Sequence, residues 1–290
     1  MKTLKFIFIF STITGVFAGC KNDVASALLK GEPVEYEFTN AQLEEQFVEE
    51  GLVQQFSLTS NNGGNEAKIE ALYIGSQDAI KTDTVILYLH GNLSSMNPYW
   101  EHAANLANVG GQHRFGVMMF DYRGFGNSEG ASEDITDLVA DAEACIKWLT
   151  ERGLTYDRLV VVGFSLGAMP AAHLANNPTA IKCIHKLSIE APQTTSTKLL
   201  QDATGLSLDG STVTAFHYDI PKALADYKQD FLWIHGTEDQ TASFENFKKV
   251  YDDFENPNKS SAELEGLGHD ISIEMGFETY ETLMLDFIKK

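Results

Sequence analysis

Ser165, His269 and an acid between them have the residue types and chain order for nucleophilic catalysis. Ser165 lies in Val160-Val161-Val162-Gly163-Phe164-Ser165-Leu166-Gly167, where a β-branched run meets a serine with a glycine two places away on each side. A strand that turns sharply into a helix crowds the residues flanking the turn. Glycines there relieve the crowding and let the hydroxyl project above a sheet. A serine hydroxyl is a weak nucleophile until a base takes its proton and a carboxylate orients that base. Of the eight histidines, His269 is the expected base, because it sits in the glycine-rich loop Gly266-Leu267-Gly268-His269 ahead of a terminal helix. His90 and His235 precede glycines at strand ends and are expected to shape loops. His102, His113, His173, His185 and His217 have no recognisable site context. The expected acid is Asp239 in His235-Gly236-Thr237-Glu238-Asp239, with Glu190, at the end of the preceding strand, as its rival. The order Ser165, Asp239, His269 favours Asp239. Acyl transfer also needs N–H donors for an oxyanion. Leu166 supplies one, and the loop Leu89-His90-Gly91-Asn92-Leu93 the other, from Asn92 or its neighbour Leu93.

These residues need a scaffold that presents strand ends together. Short continuous apolar runs at 84–90, 115–121, 158–164, 185–191 and 230–236 suit strands buried on both faces of a parallel sheet. Helical patterns separate them. In 132–153, Ile135, Leu138, Val139, Ala142, Ile146 and Leu149 share one face, Ser132 is placed as the cap, and Gly153 can close the helix. Pro170, early in the helix after Ser165, lacks an N–H and must delay that helix or cost it a hydrogen bond. Two alternating segments, 51–60 and 67–76, read as a hairpin around a polar, glycine-rich turn. The expected architecture is α/β: an open, mostly parallel, doubly wound sheet with antiparallel N-terminal strands and sites at the strands' carboxyl ends.

Together these motifs resemble the α/β-hydrolase family over most of residues 50–290. His90-Gly91-Asn92 resembles its oxyanion loop, Gly163–Gly167 its nucleophile elbow, Gly236–Asp239 its acid loop and Gly268-His269 its base loop. The resemblance implies a Ser165–His269–Asp239 triad, an oxyanion hole from Asn92 and Leu166, and two-step acyl transfer without a cofactor. Asp121-Tyr122-Arg123-Gly124-Phe125-Gly126 resembles another family segment, where a structural role is expected for Asp121 and Arg123. The expected substrate is a small acyl ester or thioester, with short to medium acyl groups preferred. A serine peptidase or amidase, or a non-catalytic envelope scaffold, is the alternative. The insert at about 192–229 is long enough only for a small helical cap. Its Leu199, Leu200, Leu206, Leu208, Phe216 and Tyr218 either line an acyl pocket or pack the cap onto the sheet.

The N-terminus has its own logic. Lys2 and Lys5, an apolar run and small residues before Cys20 read as a signal peptide over 1–19. Phe17-Ala18-Gly19-Cys20 resembles a bacterial lipobox, so lipid on Cys20 and a membrane-anchored location in a bacterial cell envelope are expected, a secreted or periplasmic soluble form being the alternative. Residues 20–50 then form a tether and lead-in, and 51–290 the catalytic domain. The net charge of −20 becomes −22 once Lys2 and Lys5 are removed, a balance that disfavours nucleic-acid partners. Cys145 and Cys183 read as isolated, half-buried thiols, and no metal spacing is present.

Overall fold

The computed structural model describes residues 29, 31–43, 46–175, 184–204 and 216–290, with only the backbone described at 200 and 202–204. Cys20, Cys183, Leu206, Leu208, the side chain of Leu200 and the segment read as a signal peptide lie outside the described residues.

The chain enters the sheet through a hairpin, β1 (Val53–Asn62) and β2 (Asn65–Ile74). The two residues between them, Gly63 and Gly64, have φ of 59° and 101°. That left-handed geometry matches strand twist in a two-residue loop, so both strands run further into the polar turn than its composition predicts. Strand and helix then alternate: β3 (Val85–Leu89), α1 (Trp100–Asn108), β4 (Gly116–Phe120) and α2 (Ile135–Thr150). Next come β5 (Leu159–Phe164), α3 (Ala168–Ala175), β6 (Lys186–Glu190), α4 (Ser196–Thr204) and α5 (Ile220–Leu224). The chain finishes with β7 (Asp230–Gly236), α6 (Phe244–Asp253), β8 (Lys259–Leu264), α7 (Ile271–Glu274) and α8 (Phe277–Lys289).

The strand order is β1-β2-β4-β3-β5-β6-β7-β8. β2 pairs antiparallel with β1 and with β4, and the neighbours from β4 to β8 are parallel. Period-two alternation splits the core into two layers. Val85, Leu87, Val161, Leu187 and Trp233 face the layer with α2 and α3. Ile86, Tyr88, Val160, Val162 and Ile234 face the layer with α1 and α8. Both sides of the central strands are buried, which is why they read as unbroken apolar runs.

Four local expectations are settled in detail. The cap of α2 is Asp134, whose carboxylate accepts from Thr136 N–H, while Asp137 returns to the backbone of 133 and 134. Ser132 donates instead to the Arg123 carbonyl. A carboxylate at the positive end of the helix dipole is the better cap. Pro170 is the third residue of α3, within the first turn, where an N–H has no helical partner to lose. A 3-10 turn at Ser165–Gly167 precedes α3, so the regular helix starts late. Among the insert residues, Phe216 and Tyr218 are buried in the main core and Leu199 packs against it; these pack the insert onto the sheet. Cys145 is a fully buried free thiol, more deeply placed than its pattern suggested.

Asp121 and Arg123 have the structural surroundings their segment suggested. Arg123 is fully buried and spans Asp141, Asp137 and Ser60, tying α2 to β1. The lead-in chain at 31–39 lies across the loops that follow β3 and β4.

Candidate active site

Ser165 has φ of 51°, a left-handed conformation for a residue with a side chain. Such strain, on the order of 1 kcal/mol, persists because the surroundings leave no alternative. A Cβ on Gly167 would lie 2.0 Å from the Leu89 carbonyl oxygen, and one on Gly163 would lie 2.5 Å from the Gly167 oxygen. The glycine fence thus lets the turn after β5 press against the end of β3. Leu89 pairs with Gly163 in the sheet, so the loop after β3 adjoins the elbow. Leu166, next to Ser165, is in the first helical turn, where N–H groups lack helical acceptors.

His269 bridges the serine and the acid. Its Nε2 lies 2.9 Å from Ser165 Oγ and its Nδ1 2.8 Å from Asp239 Oδ2. A carboxylate can only accept, so Nδ1 carries the proton and Nε2 accepts from the serine hydroxyl. The Asp239 Oδ1 atom accepts from the N–H groups of Thr241 and Ala242. His235 is buried beside it, with Nε2 3.0 Å from the Ala242 carbonyl and 3.4 Å from Asp239 Oδ2. Burial would raise the Asp239 pKa, but hydrogen bonds from His235, His269 and the Ala242 backbone overcome it and hold the carboxyl well below the usual range. The acid is therefore a fixed anion beside the imidazole. Gly236 makes this approach possible, because a Cβ there would sit 2.3 Å from the carbonyl oxygens of both Leu267 and Gly268.

Glu190 is elsewhere. It ends β6 fully buried, and its Oε1 accepts from Tyr280 on α8 at 2.8 Å, on the α1/α8 side of the sheet. Burial pushes its pKa up to about 7 despite the Tyr280 bond. The geometry joins Asp239, not Glu190, to His269. Asn92 and Leu93 are exposed in the loop after β3. A backbone hydrogen bond from Leu93 reaches the Tyr99 hydroxyl, which engages the alternative donor. Gly91 has no room for a side chain, since its Cβ would meet Tyr99 and Phe164.

Two residues emerge that the sequence reading passed over. His102, on α1, is buried among Tyr88, Tyr99 and Phe164 and lies 2.8 Å through Nε2 from Asp270 Oδ1. Burial opposes ionisation of Asp270, yet the His102 bond holds its pKa below the ordinary value. The pair fastens the residue after His269 to α1. Phe164, before Ser165, packs its ring 5.3 Å from that of His269. No periodicity marks His102, because its partner is 168 residues away. Among the described residues no cluster of His, Cys, Asp or Glu suits a metal ion.

With sheet order and site geometry in hand, comparison with known proteins is decisive for the architecture. This is the α/β-hydrolase fold. The family described as alpha/beta hydrolase fold matches residues 84–204, which contain the β3 loop and the elbow. The esterase Pf2001 of Pyrococcus furiosus superposes with a TM-score of 0.68 at 19% identity, covering 90% of this chain and 97% of that one. An uncharacterized protein of Escherichia coli K12, YfhR, is 26% identical over 210 residues, 70% of this chain and 69% of its own. The lysophosphatidylserine lipase ABHD12 of Danio rerio is 26% identical over 181 residues, 58% of this chain and 46% of that protein. Within the α/β-hydrolase fold, the Ser165, Asp239 and His269 side chains all rise from carboxyl ends of strands or the loops that follow them.

Proposed function

We propose that this protein is a serine hydrolase of carboxylic esters or thioesters, acting through an acyl-enzyme on Ser165. The observation that carries the reading is the continuous relay from Ser165 Oγ through His269 to Asp239, at 2.9 Å and 2.8 Å. Ser165 Oγ attacks the acyl carbon as His269 Nε2 takes its proton. The carbonyl electron pair moves onto oxygen, where the N–H groups of Leu166 and Asn92 receive it. The C–O or C–S bond then breaks, and Nε2–H protonates the leaving alcohol or thiol. Water deprotonated by the same nitrogen attacks the ester of Ser165, and the acid product departs with the serine restored. Asp239 keeps Nδ1 protonated and offsets the imidazolium charge in both steps.

The substrate panel follows from the same surroundings. The described parts of the insert are helices of nine and five residues, which favours short to medium acyl groups over chains that need a deep lid. The likeness to a lysophosphatidylserine lipase makes a lysophospholipid a useful member. For location, the Phe17–Cys20 segment supports lipid on Cys20 and a bacterial envelope address. No helix among the described residues is long and apolar enough to cross a membrane. Fatty-acid labelling lost in a Cys20→Ser variant would support the anchor, and labelling that persists would remove it.

Fluorophosphonate labelling, with mass spectrometry of the adduct, tests the chemistry. Label on Ser165 of the folded protein, together with loss of ester turnover in a folded Ser165→Ala variant, is the expected result. Undiminished turnover in that variant would reject Ser165 as nucleophile. Faster cleavage of an aminoacyl amide than of its matched ester would assign a peptidase instead.

A further inference from the structure

The loop that carries Asn92 is not held by the sheet alone. The lead-in chain from Gly31 to Thr39 crosses it and the neighbouring loop after β4, and the two are joined by paired polar contacts. Asn97 Nδ2 donates to the Glu35 carbonyl at 2.9 Å, and Glu37 N–H returns to Asn97 Oδ1 at 3.0 Å. Asn127 repeats the pattern on Val34, donating to its carbonyl at 2.7 Å and accepting from its N–H at 3.1 Å. Each asparagine amide thus pairs with the strap as a strand backbone would. Trp100 Nε1 donates to the Thr39 carbonyl, and Phe38 packs on the same indole.

Asp121 joins these layers. Its buried carboxylate accepts from the Tyr36 hydroxyl on one oxygen and from the Met96 N–H, four residues beyond Asn92, on the other. The Tyr36 oxygen also accepts from Asn127 N–H at 3.0 Å. At the other end Gly31 donates to the Gly124 carbonyl at 2.9 Å and lies so close that a Cβ would be 2.0 Å from the Ser94 oxygen. Ser94 itself has φ of 50° and accepts from Gly126 N–H. Its unusual backbone, two residues after Asn92, is wedged between the strap and the β4 loop.

We infer that residues 31–39 are a positioning segment for the reaction, which hold the β3 loop, through Gly31 against Ser94 and Tyr36 on Asp121, in the geometry that aims the Asn92 N–H at the oxyanion. Tyr36 and Gly31 touch no reacting atom; they act through Ser94, Met96 and Asp121. The inference rests on the reading of Asn92 as an oxyanion donor. An alternative in which the strap only adds buried surface would lower stability and leave the turnover of folded molecules intact. A loop displaced by part of an ångström costs rate, because a donor must meet the oxyanion at hydrogen-bond distance.

Tyr36→Phe and Gly31→Ala in the full chain test this. The first keeps the ring and removes one donor to Asp121; the second drives a methyl group against Ser94. We expect kcat to fall about tenfold in each, with KM changed less than twofold and amide deuterium uptake raised at 92–97. Should Gly31→Ala fail to fold, Tyr36→Phe carries the test alone. A kcat equal to wild type, or a loss of kcat with exchange at 92–97 unaltered, overturns the inference whatever happens to Tm. If the wild-type protein shows no Ser165-dependent turnover, the hydrolase reading fails. Raised exchange at 92–97 would then still uphold the hold of the strap on the loop, and unaltered exchange would reject it.

Discussion

At the end of β6 the Glu190 carboxyl accepts one hydrogen bond, from Tyr280, and its Oε2 atom has no protein partner among the described residues. Burial lifts its pKa from 4.5 to about 7. Between those values the folded chain keeps a proton that the unfolded chain has released. The stability tied to Glu190 is therefore complete below pH 4.5 and is lost as pH rises through about 7, to the extent of roughly 3 kcal/mol. Glu190→Gln keeps the shape and cannot ionise. It should match wild type in denaturant unfolding at pH 4 and exceed it by up to about 3 kcal/mol at pH 8; equal stability at pH 8 would contradict the buried, protonated carboxyl. The contrast with Asp239 is instructive at the same scale. Glu190 ends β6 and Asp239 lies in the loop just after β7, and the sequence offered both to His269. What separates them is the company each keeps: the carboxylate of one is bonded by two backbone N–H groups and by His269, with His235 beside it, while the other accepts a single bond, from a tyrosine hydroxyl. Such company arises from tertiary packing, and a single chain of letters does not display it.

The turn from β5 into α3 shows how far an element can be read in advance. Its strand, its glycines and its serine were legible because they are local: β-branched residues, a tight turn and a helix follow in sequence. Legibility ended where partners are distant, as with the polar clamp on residues 31–39, whose asparagine partners lie 60 or more residues along the chain. The glycines also make the element testable. Gly167→Ala places a methyl group against the backbone of Leu89 and His90, atoms that cannot swing aside. We expect a loss of about 3 kcal/mol in unfolding free energy and a fall in fluorophosphonate reactivity larger than the fraction unfolded explains. Normal reactivity in a fully stable Gly167→Ala protein would mean that the elbow tolerates separation from β3.

Across the whole molecule, the surplus of 41 acids over 21 bases puts a net charge of −20 on the chain. Self-repulsion of that size opposes compaction, and added salt shortens its range. Raising sodium chloride from 20 to 300 mM, on the order of a fourfold contraction of the Debye length, should raise Tm; a fall would point to attractive surface pairs as the dominant electrostatic contribution. The parallel sheet was evident from composition and rhythm alone, since burial on both faces leaves continuous apolar runs.

Ser165 and His269 meet across 104 residues of chain. At a synthesis rate of roughly 5–20 residues per second, Ser165 is made about 5–20 s before His269. During that interval the serine turn can form while His269, the proposed base, is absent, so on the proposed function the nascent chain is expected to be silent. On the proposed triad, fluorophosphonate reactivity is expected only once β7, β8 and the base loop have joined the sheet, which makes its appearance a clock for completion of the fold.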